Sequence, residues 1–370
     1  MTRTQRLGIA AIAVGLLVAL AALFAHQRAP SAGSAAKDPW LTGLKEALGD
    51  VRRIDVSSST SRVSLRREGD SWGVAERHGY PVDRERLADL LQALAAARVL
   101  EQKTSKPEFF GRLGLEDIDK PGSGAVLVEL WRDDAGPTWR VLVGNAAEGR
   151  DGRYLRLAGV DETWLVDRSP QAFADPADWI DRTVLGLDFE RVASVTRSFM
   201  DGSGFEASRP DAAVASLSVA SLPAGTRARY DSVFDAAARA VLTAEAEDVR
   251  KADDELFAGS ALARNRIRFF DGLTLDIDAV KAGDGNWVRV RASGAAPAAA
   301  AAAASAVTPK QAPEKPPQQD PAAEASVIDT RLSGWAFKVS DYIYGELAKR
   351  LEEYTEAERV DEGKADDTAP

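Results

Sequence analysis

Alternation of apolar and polar residues constrains this chain more than any other feature of its sequence. In "GAVLVELWRDDAGPTWRVLVGN", Val126 and Val128 precede the turn residues "DDAGP", and Val141 and Val143 follow them. Because successive side chains of a strand point to opposite faces of a sheet, this spacing predicts an antiparallel hairpin with one buried face. Similar runs occur on both sides of this hairpin, so we predict a body built mainly from short antiparallel strands.

A leucine stripe follows the first strands, in "YPVDRERLADLLQALAAARVL". Leu87 and Leu91 fall on one face of the predicted helix, and Asp83 is its predicted N-cap. The C-terminal stretch "SGWAFKVSDYIYGELAKRLEEY" has the same order of an alternating strand with a Trp, a turn with a Tyr, and a striped helix. That second helix is predicted to carry Leu347 and Leu351 on one face.

The order of elements also recurs between the two halves of the chain. Pairing Ile54 with Ser194, and Val126 with Ile267, gives an offset of about 140 residues in both cases. We therefore predict a duplication. The predicted fold class is α+β, with a single N-terminal transmembrane helix and then a duplicated, mostly antiparallel strand-rich unit with one long helix per half.

The predicted organisation divides the chain into seven segments. These are a cytoplasmic tip with a transmembrane anchor (1–25), a flexible spacer (26–48), a first α+β repeat (49–187), a second α+β repeat (188–293), a disordered Ala/Pro-rich insert (294–327), a strand and helix that complete the second repeat (328–354), and an acidic mobile tail (355–370).

The uncharged run "LGIAAIAVGLLVALAALFA" predicts the membrane anchor. It is long enough for a bilayer core, and Arg3 and Arg6 precede it, which favours a cytoplasmic N-terminus and a periplasmic body. A cleaved signal peptide is the alternative, although its apolar region is usually shorter. The residues assigned to a single-pass anchor in the inner membrane are Leu7, Leu16, Leu17, Leu20, Leu23 and Phe24.

Composition excludes several classes of function. The formal net charge of −10 argues against nucleic acid as a partner, because phosphate binding needs a basic face. The absence of cysteine from the sequence removes disulfides, thiol catalysis, iron–sulfur clusters and cysteine zinc sites.

Catalytic patterns are scarce in the sequence. The two histidines are His26, at the end of the predicted anchor, and His78, in the turn "ERHGYP". A Ser–His–Asp triad would need His78, and the sequence has no GxSxG elbow and no P-loop. We predict no catalytic residue and no cofactor, with a cryptic hydrolase or metal enzyme, centred on His78 or on a cluster of acids at Asp175, as an alternative.

Carboxylates offer one candidate metal site. Asp175, Asp178 and Asp181 are spaced by three residues and could share a helical face that holds calcium. Acids are also favoured in the first turn of a helix, and this interpretation is preferred, so the prediction is that no metal is bound. Asp276 and Asp278 alternate with apolar neighbours, which places them on the solvent face of a strand.

Several of these segments together resemble the bacterial family known as domain of unknown function 4340. They are "SWGVAERHGYPVDRERLADLLQALAAARV", "FFGRLGLED", "VLVGNAAEGRDGRYLRLAG", "TWLVDRSPQAF", "DWIDRTVL" and "LSGWAFKVSDYIYGELAKRLEEY". The motif residues, which we interpret as structural, are Trp72, Tyr80, Asp83, Leu87, Leu91, Gly144, Tyr154, Trp164, Trp179, Trp335, Tyr342, Leu347 and Leu351.

The resemblance implies a non-catalytic, membrane-anchored, extracytoplasmic accessory subunit of an ABC-type transporter, because members are often encoded beside gliding-motility-type transporter subunits. The partners it implies are the inner-membrane bilayer and a transporter permease or related accessory subunit. The alternative is a periplasmic receptor that binds glycan or peptide in an aromatic groove between the repeats.

Overall fold

Two large antiparallel sheets form most of the part of the chain that can be described. A computed structural model describes residues 39–258, 262–283, 285–295 and 320–358. The predicted anchor at 1–25 and most of the predicted spacer, insert and tail lie outside the described residues.

The first sheet is built from residues 53–166. Its strands are β1 (Arg53–Ser57), β2 (Arg62–Glu68), β3 (Ser71–Val74), β4 (Tyr80–Pro81), β5 (Val99–Gln102), β6 (Val126–Trp131), β7 (Pro137–Ala146), β8 (Arg153–Leu157) and β9 (Thr163–Val166). Their spatial order is β4-β3-β2-β1-β6-β7-β8-β9-β5. The predicted hairpin is confirmed as the β6–β7 pair, in which Val128 lies opposite Val141.

The second sheet is built from residues 192–339. Its strands are β10 (Val192–Phe199), β11 (Gly204–Ser208), β13 (Asp248–Lys251), β14 (Ala263–Phe269), β15 (Leu273–Ala282), β16 (Gly285–Gly294) and β17 (Trp335–Val339). Their spatial order is β11-β10-β14-β15-β16-β17-β13. Two further strands, β12 (Thr226–Ala228) and β18 (Thr355–Ala357), pair with each other.

The two sheets share one strand order. When strands are matched in chain order, the series β2-β1-β6-β7-β8-β9-β5 corresponds to β11-β10-β14-β15-β16-β17-β13. The strands β3 and β4 extend the first sheet past β2 and have no counterpart in the second sheet. This shared order is the topology that a duplication requires, and the duplication itself stays a prediction.

The predicted α+β class with one long helix per half is wrong, because the described chain is strand-rich and its helices are few and mostly short. The α-helices are α1 (Leu44–Ala47), α2 (Arg84–Ala96), α3 (Phe110–Leu113), α4 (Ala236–Leu242), α5 (Pro321–Leu332), α6 (Asp341–Ala348) and α7 (Leu351–Tyr354). None of the helices among the described residues combines the length and the apolar character needed to cross a membrane. The predicted transmembrane helix falls outside those residues.

Tertiary contacts shorten the helix that was expected in the second half. The chain leaves α4 after Leu242, and the Thr243 hydroxyl donates to the Arg239 carbonyl at the helix end. The next residues form bridges instead of further helical turns, since Glu245 pairs with Thr183. Helix propensity is weaker than such pairing and gives way to it.

The C-terminal helix is divided for a similar reason. The leucine stripe predicts one helix, but α6 and α7 are separated by Lys349 and Arg350 in extended conformation. The Lys349 carbonyl leaves the helical ladder and accepts a hydrogen bond of 2.7 Å from Arg197. Leu347 is nevertheless fully buried and Leu351 half-buried, so the stripe still faces the core.

The first long helix agrees with its prediction. The Asp83 side chain accepts a hydrogen bond of 3.0 Å from the backbone N–H of Arg86, which makes it the N-cap. Leu87 is buried and Leu91 is half-buried against the core. A capping carboxylate of this kind stabilises a helix by about 0.5–2 kcal/mol.

A single buried cluster joins the two sheets. Tyr80 of β4 packs edge-on against Trp335, with ring centroids 4.9 Å apart, and against Phe337 at 6.0 Å. Arg77 of the first half also pairs with Asp248 of the second sheet. Its Nε and Nη2 donate hydrogen bonds of 2.5 and 2.9 Å to the two carboxylate oxygens. Both sheets therefore contribute side chains to one hydrophobic core.

The segment 179–184, which we call the strap, lies at the same junction between the two sheets. Trp179 is fully buried, and its indole N–H donates to the Phe173 carbonyl at 2.7 Å. Ile180 forms a bridge with Val82 of the first half. The apolar residues of the motif "DWIDRTVL" therefore pack at the junction between the two sheets.

Replacing Tyr80 by Ala is predicted to destabilise the whole described fold. The change removes a buried ring that contacts the second sheet, and we expect a loss of about 3–5 kcal/mol in the free energy of unfolding. Tyr80→Phe retains the ring and is the matched control, with an expected change below about 1.5 kcal/mol. Urea unfolding of the purified chain measures both. Equal losses of unfolding free energy for the Ala and Phe variants would show that ring packing does not stabilise the junction between the sheets.

Replacing Gly144 by Ala is predicted to destabilise the first sheet. A Cβ at this buried position of β7 would collide with the Leu113 carbonyl and the Leu115 side chain. Overpacking of this kind costs about 1–3 kcal/mol. Gly124→Ala is the control, because a Cβ there meets no atom within 4 Å. Thermal unfolding should separate the two variants, and an unchanged midpoint for Gly144→Ala would contradict the expected collision.

Candidate functional site

An open cavity of about 600 Å³ lies on the outward face of the second sheet, opposite the core. We call it the arginine groove. Its lining comes from strands β10, β11, β14, β15 and β16, and consists of Thr196, Ser198, Glu206, Arg264, Asn265, Arg266, Arg268, Asp276, Ile277, Asp278, Arg289 and Arg291.

Strand alternation creates this face. In β14, "ARNRIRF" turns Asn265, Ile267 and Phe269 toward the core, where they are buried. The residues between them are Arg264, Arg266 and Arg268, and all three are exposed on the opposite face.

The cross-strand register places one row of arginines on each side of a row of acids. Arg264 lies opposite Asp278, which lies opposite Arg289 on the other side. One step along the strands, Arg266 lies opposite Asp276, which lies opposite Arg291. Opposite charges directly across an antiparallel pair attract each other, so the register is favourable.

Asp278 is the most buried acid of the groove. Its carboxylate accepts hydrogen bonds from Arg289 at 2.8 Å and from Arg291 at 3.3 Å, and Arg264 lies 4.0 Å away. Burial alone would lower the pKa of Arg289, but its hydrogen bonds to Asp278 and Asp254 raise that pKa above its ordinary value. A hydrogen bond from Arg266 to Asp276, 2.7 Å long, likewise raises the pKa of Arg266.

The groove keeps an excess of positive charge. Five arginines line it against the carboxylates of Glu206, Asp276 and Asp278, although the whole chain has a net charge of −10. Such a local reversal of sign marks a surface suited to anions.

Arg268 differs from the other arginines of the groove. The described chain supplies it with no hydrogen bond and no ion pair, and its cross-strand neighbours are the hydroxyl residues Ser194 and Thr274. The next residues in the same row are Ser208 and Ser293. Ser194 is buried and Thr274 is partly exposed, so the unpaired guanidinium has one accessible hydroxyl directly beside it, at the edge of the groove.

The matching face of the first sheet is covered by its own chain. Leu127 of β6 and Leu142 of β7 are buried there under Phe110 and Leu115, which belong to the connection 103–125. In the second sheet the corresponding connection, 252–262, is shorter. Its Phe257 packs on another part of the face, against Val280, Trp287 and their neighbours, and lies over Arg289 of β16, but it leaves the arginines of β14 open.

The three aspartates considered for a metal serve local turns instead. Asp175 accepts from the Ala177 N–H at 2.9 Å, and Asp181 accepts from the Thr183 N–H at 3.0 Å. Asp178 lies 3.6 Å from Arg182. Within the described ranges, no group of three or more His, Cys, Asp or Glu residues is placed to hold a metal ion.

His78 lies in an exposed turn between the sheets. Its backbone has φ of 56°, the left-handed region that non-glycine residues adopt infrequently. A cavity of about 340 Å³ at this junction is lined by His78 and by charged residues such as Glu76, Asp248 and Lys338. The histidine side chain has no hydrogen-bond partner among the residues described, so the geometry does not assemble a triad around it.

The predicted aromatic residues mostly serve packing. Trp179 is buried, and Trp72, Trp164 and Trp335 are partly buried against the core. Tyr154 packs in the smaller cluster under Phe110. A further residue of the predicted motif, Tyr342, stands apart, since 68 % of its surface is exposed on α6. The structure therefore does not gather them into one aromatic groove.

Sequence reasoning missed the arginines. The alternation predicts that Asp276 and Asp278 face solvent. The structure leaves Asp276 partly exposed, but it buries Asp278 among the arginines of the two flanking strands, "ARNRIRF" and "WVRVRAS". Arginine at every second position of β14 and again of β16, the two strands that flank β15, was the signal that could have located the groove.

Replacing Asp278 by Asn is predicted to destabilise the second sheet. The change leaves Arg289 and Arg291 facing each other without their shared carboxylate, and we expect a loss of about 1.5–3 kcal/mol. The control is Asp276→Asn, at a more exposed acid with one ion pair, for which the expected loss is below about 1 kcal/mol. Urea unfolding measures both, and equal losses would contradict the proposed role of Asp278.

Comparison with known proteins gives one match. The family described as "Domain of unknown function (DUF4340)" matches residues 72–259. No curated protein and no solved structure matches the chain. The arginines of the groove follow the matched region, whereas Tyr80, Gly144 and Trp179 lie within it. Since the match extends over half of the sequence, this protein belongs to the DUF4340 family.

Proposed function

We propose that this protein is a non-catalytic, membrane-anchored accessory subunit that binds a partner on the periplasmic side of the inner membrane. The observation that carries the proposal is the arginine groove, whose charged groups are arranged to hold an anionic ligand. The finer form of the proposal, taken from the family resemblance, is that the partner belongs to an ABC-type transporter.

The chemistry of the groove favours binding over proton transfer. Ion pairs raise the pKa of Arg266 and of Arg289, so both guanidiniums stay protonated at physiological pH. A group that holds its proton this firmly cannot serve as a general base. It can recognise carboxylate or phosphate through several N–H donors at once.

The anchor is supported by the sequence alone. Residues 7–25 carry no charge, and Arg3 and Arg6 precede them. The cost of placing one charge at the centre of such a segment is about 2.5–3.5 kcal/mol, which makes the run a sensitive target for mutation. A body held at the membrane surface in this way would meet membrane partners at high local concentration.

The test is recovery of the full chain from bacterial membranes. We expect the tagged protein to pellet with the inner membrane, to resist alkaline carbonate, and to co-purify from detergent with a permease-type protein after mild crosslinking. The variant Leu16→Arg/Leu20→Arg should move most of the protein to the soluble fraction, because two charges oppose insertion. The control Leu16→Ile/Leu20→Ile keeps the apolar run and should stay in the pellet.

Two results would count against the proposal. A wild-type chain found free in the cytosol would show that residues 7–25 do not anchor the protein. Recovery of only the monomer from crosslinked membranes would contradict the accessory role but not the membrane anchor.

A further inference from the structure

We infer that the arginine groove binds an extended acidic segment of a partner protein, with carboxylates on alternate residues. The inference rests on the proposed accessory function and deepens it by naming the chemistry of the partner. It depends on the arrangement of arginines on the outward face of the second sheet.

Three of the five arginines have donors to spare. Arg268 has no partner among the described residues, Arg264 only approaches Asp278 at 4.0 Å, and Arg291 shares that carboxylate at 3.3 Å. Arg264 and Arg291 keep 62 % and 57 % of their side-chain surface exposed. These guanidiniums can therefore reach a ligand without breaking the pairs that hold the sheet.

The spacing of the arginines along β14 matches an extended chain. Arg264, Arg266 and Arg268 recur every second residue of β14, which separates successive side chains by roughly 7 Å. An extended peptide that runs along this strand repeats its own side chains at the same interval. Acids on alternate residues would therefore meet successive arginines, whereas a single small anion would meet one or two.

The acid row argues against a flat anionic surface as the ligand. Asp276 and Asp278 lie on β15, between the arginines of β14 and those of β16. A membrane surface would cover all three strands at once and bring its phosphates against these carboxylates. A narrow peptide can follow one arginine row and avoid the acids, so the register favours a single extended chain.

A hydroxyl group lies beside one end of the groove. Thr274, which is partly exposed, lies opposite Arg268 on the neighbouring strand β15. Hydroxyls both donate and accept hydrogen bonds, so they suit the amide groups of a peptide better than they suit a purely anionic ligand.

The experiment measures binding of a fluorescein-labelled peptide of alternating Glu and Ser to the full chain in detergent, by fluorescence anisotropy. The matched peptide of alternating Gln and Ser is the ligand control. We expect the Glu peptide to bind and the Gln peptide not to bind, and binding should weaken as salt is raised because the contacts are ionic.

Variants locate the binding. Arg264→Gln/Arg268→Gln should weaken binding of the Glu peptide by about tenfold, since two charge-assisted contacts are lost. Both residues are exposed, and circular dichroism checks that the fold is retained. Arg66→Gln is the matched control, an exposed arginine on β2 of the first sheet, and should leave the affinity unchanged.

Several outcomes would overturn the inference. They are equal binding of the Gln peptide, an unchanged affinity in the double variant, displacement of the Glu peptide by millimolar phosphate, and binding of phosphatidylglycerol vesicles without binding of the peptide. Because this assay needs no membrane insertion, its failure is distinguishable from failure of the anchoring and co-purification test. The groove could be refuted as a peptide site while the accessory role stands.

Discussion

Period-two alternation along paired antiparallel strands is the constraint on which the rest of this structure depends. It places Ile267 and Phe269 in the core and turns Arg266 and Arg268 outward on the same strand. A slip of one residue would exchange the two sets, and each apolar side chain moved into water would cost roughly 1.5–3 kcal/mol. The register that buries the core therefore also creates the charged face, and neither can change without the other.

The two sheets share one strand order, but their outward faces are covered differently. In the first, the connection 103–125 folds back and buries Leu127 and Leu142 on the outward face. In the second, the connection 252–262 is shorter and covers another part of the face. The contrast explains why a charged groove exists on one sheet alone of the two, and why Gly144, which lies beneath Leu113 and Leu115, is required where the cover is tight.

Local signals predicted local structure well. The Asp83 cap and the β6–β7 hairpin follow from residues close in sequence, and both are present. The long helix expected in the second half is absent, because bridges to the strap 179–184 compete with helical hydrogen bonds after Leu242. The break between α6 and α7 has the same kind of cause, because Arg197, which lies on the distant strand β10, donates a hydrogen bond to the Lys349 carbonyl.

The sequence by itself determined which side chains share a face, because alternation needs only neighbouring residues. It also determined the charge of the chain, the absence of cysteine and the apolar run at 7–25. Only the tertiary structure decided that rows of arginine from β14 and β16 would flank the acids of β15, and that the β14 row would stay uncovered. That outcome depends on which strands become neighbours and on where a distant connection packs, and these are properties of the whole chain that no local pattern encodes.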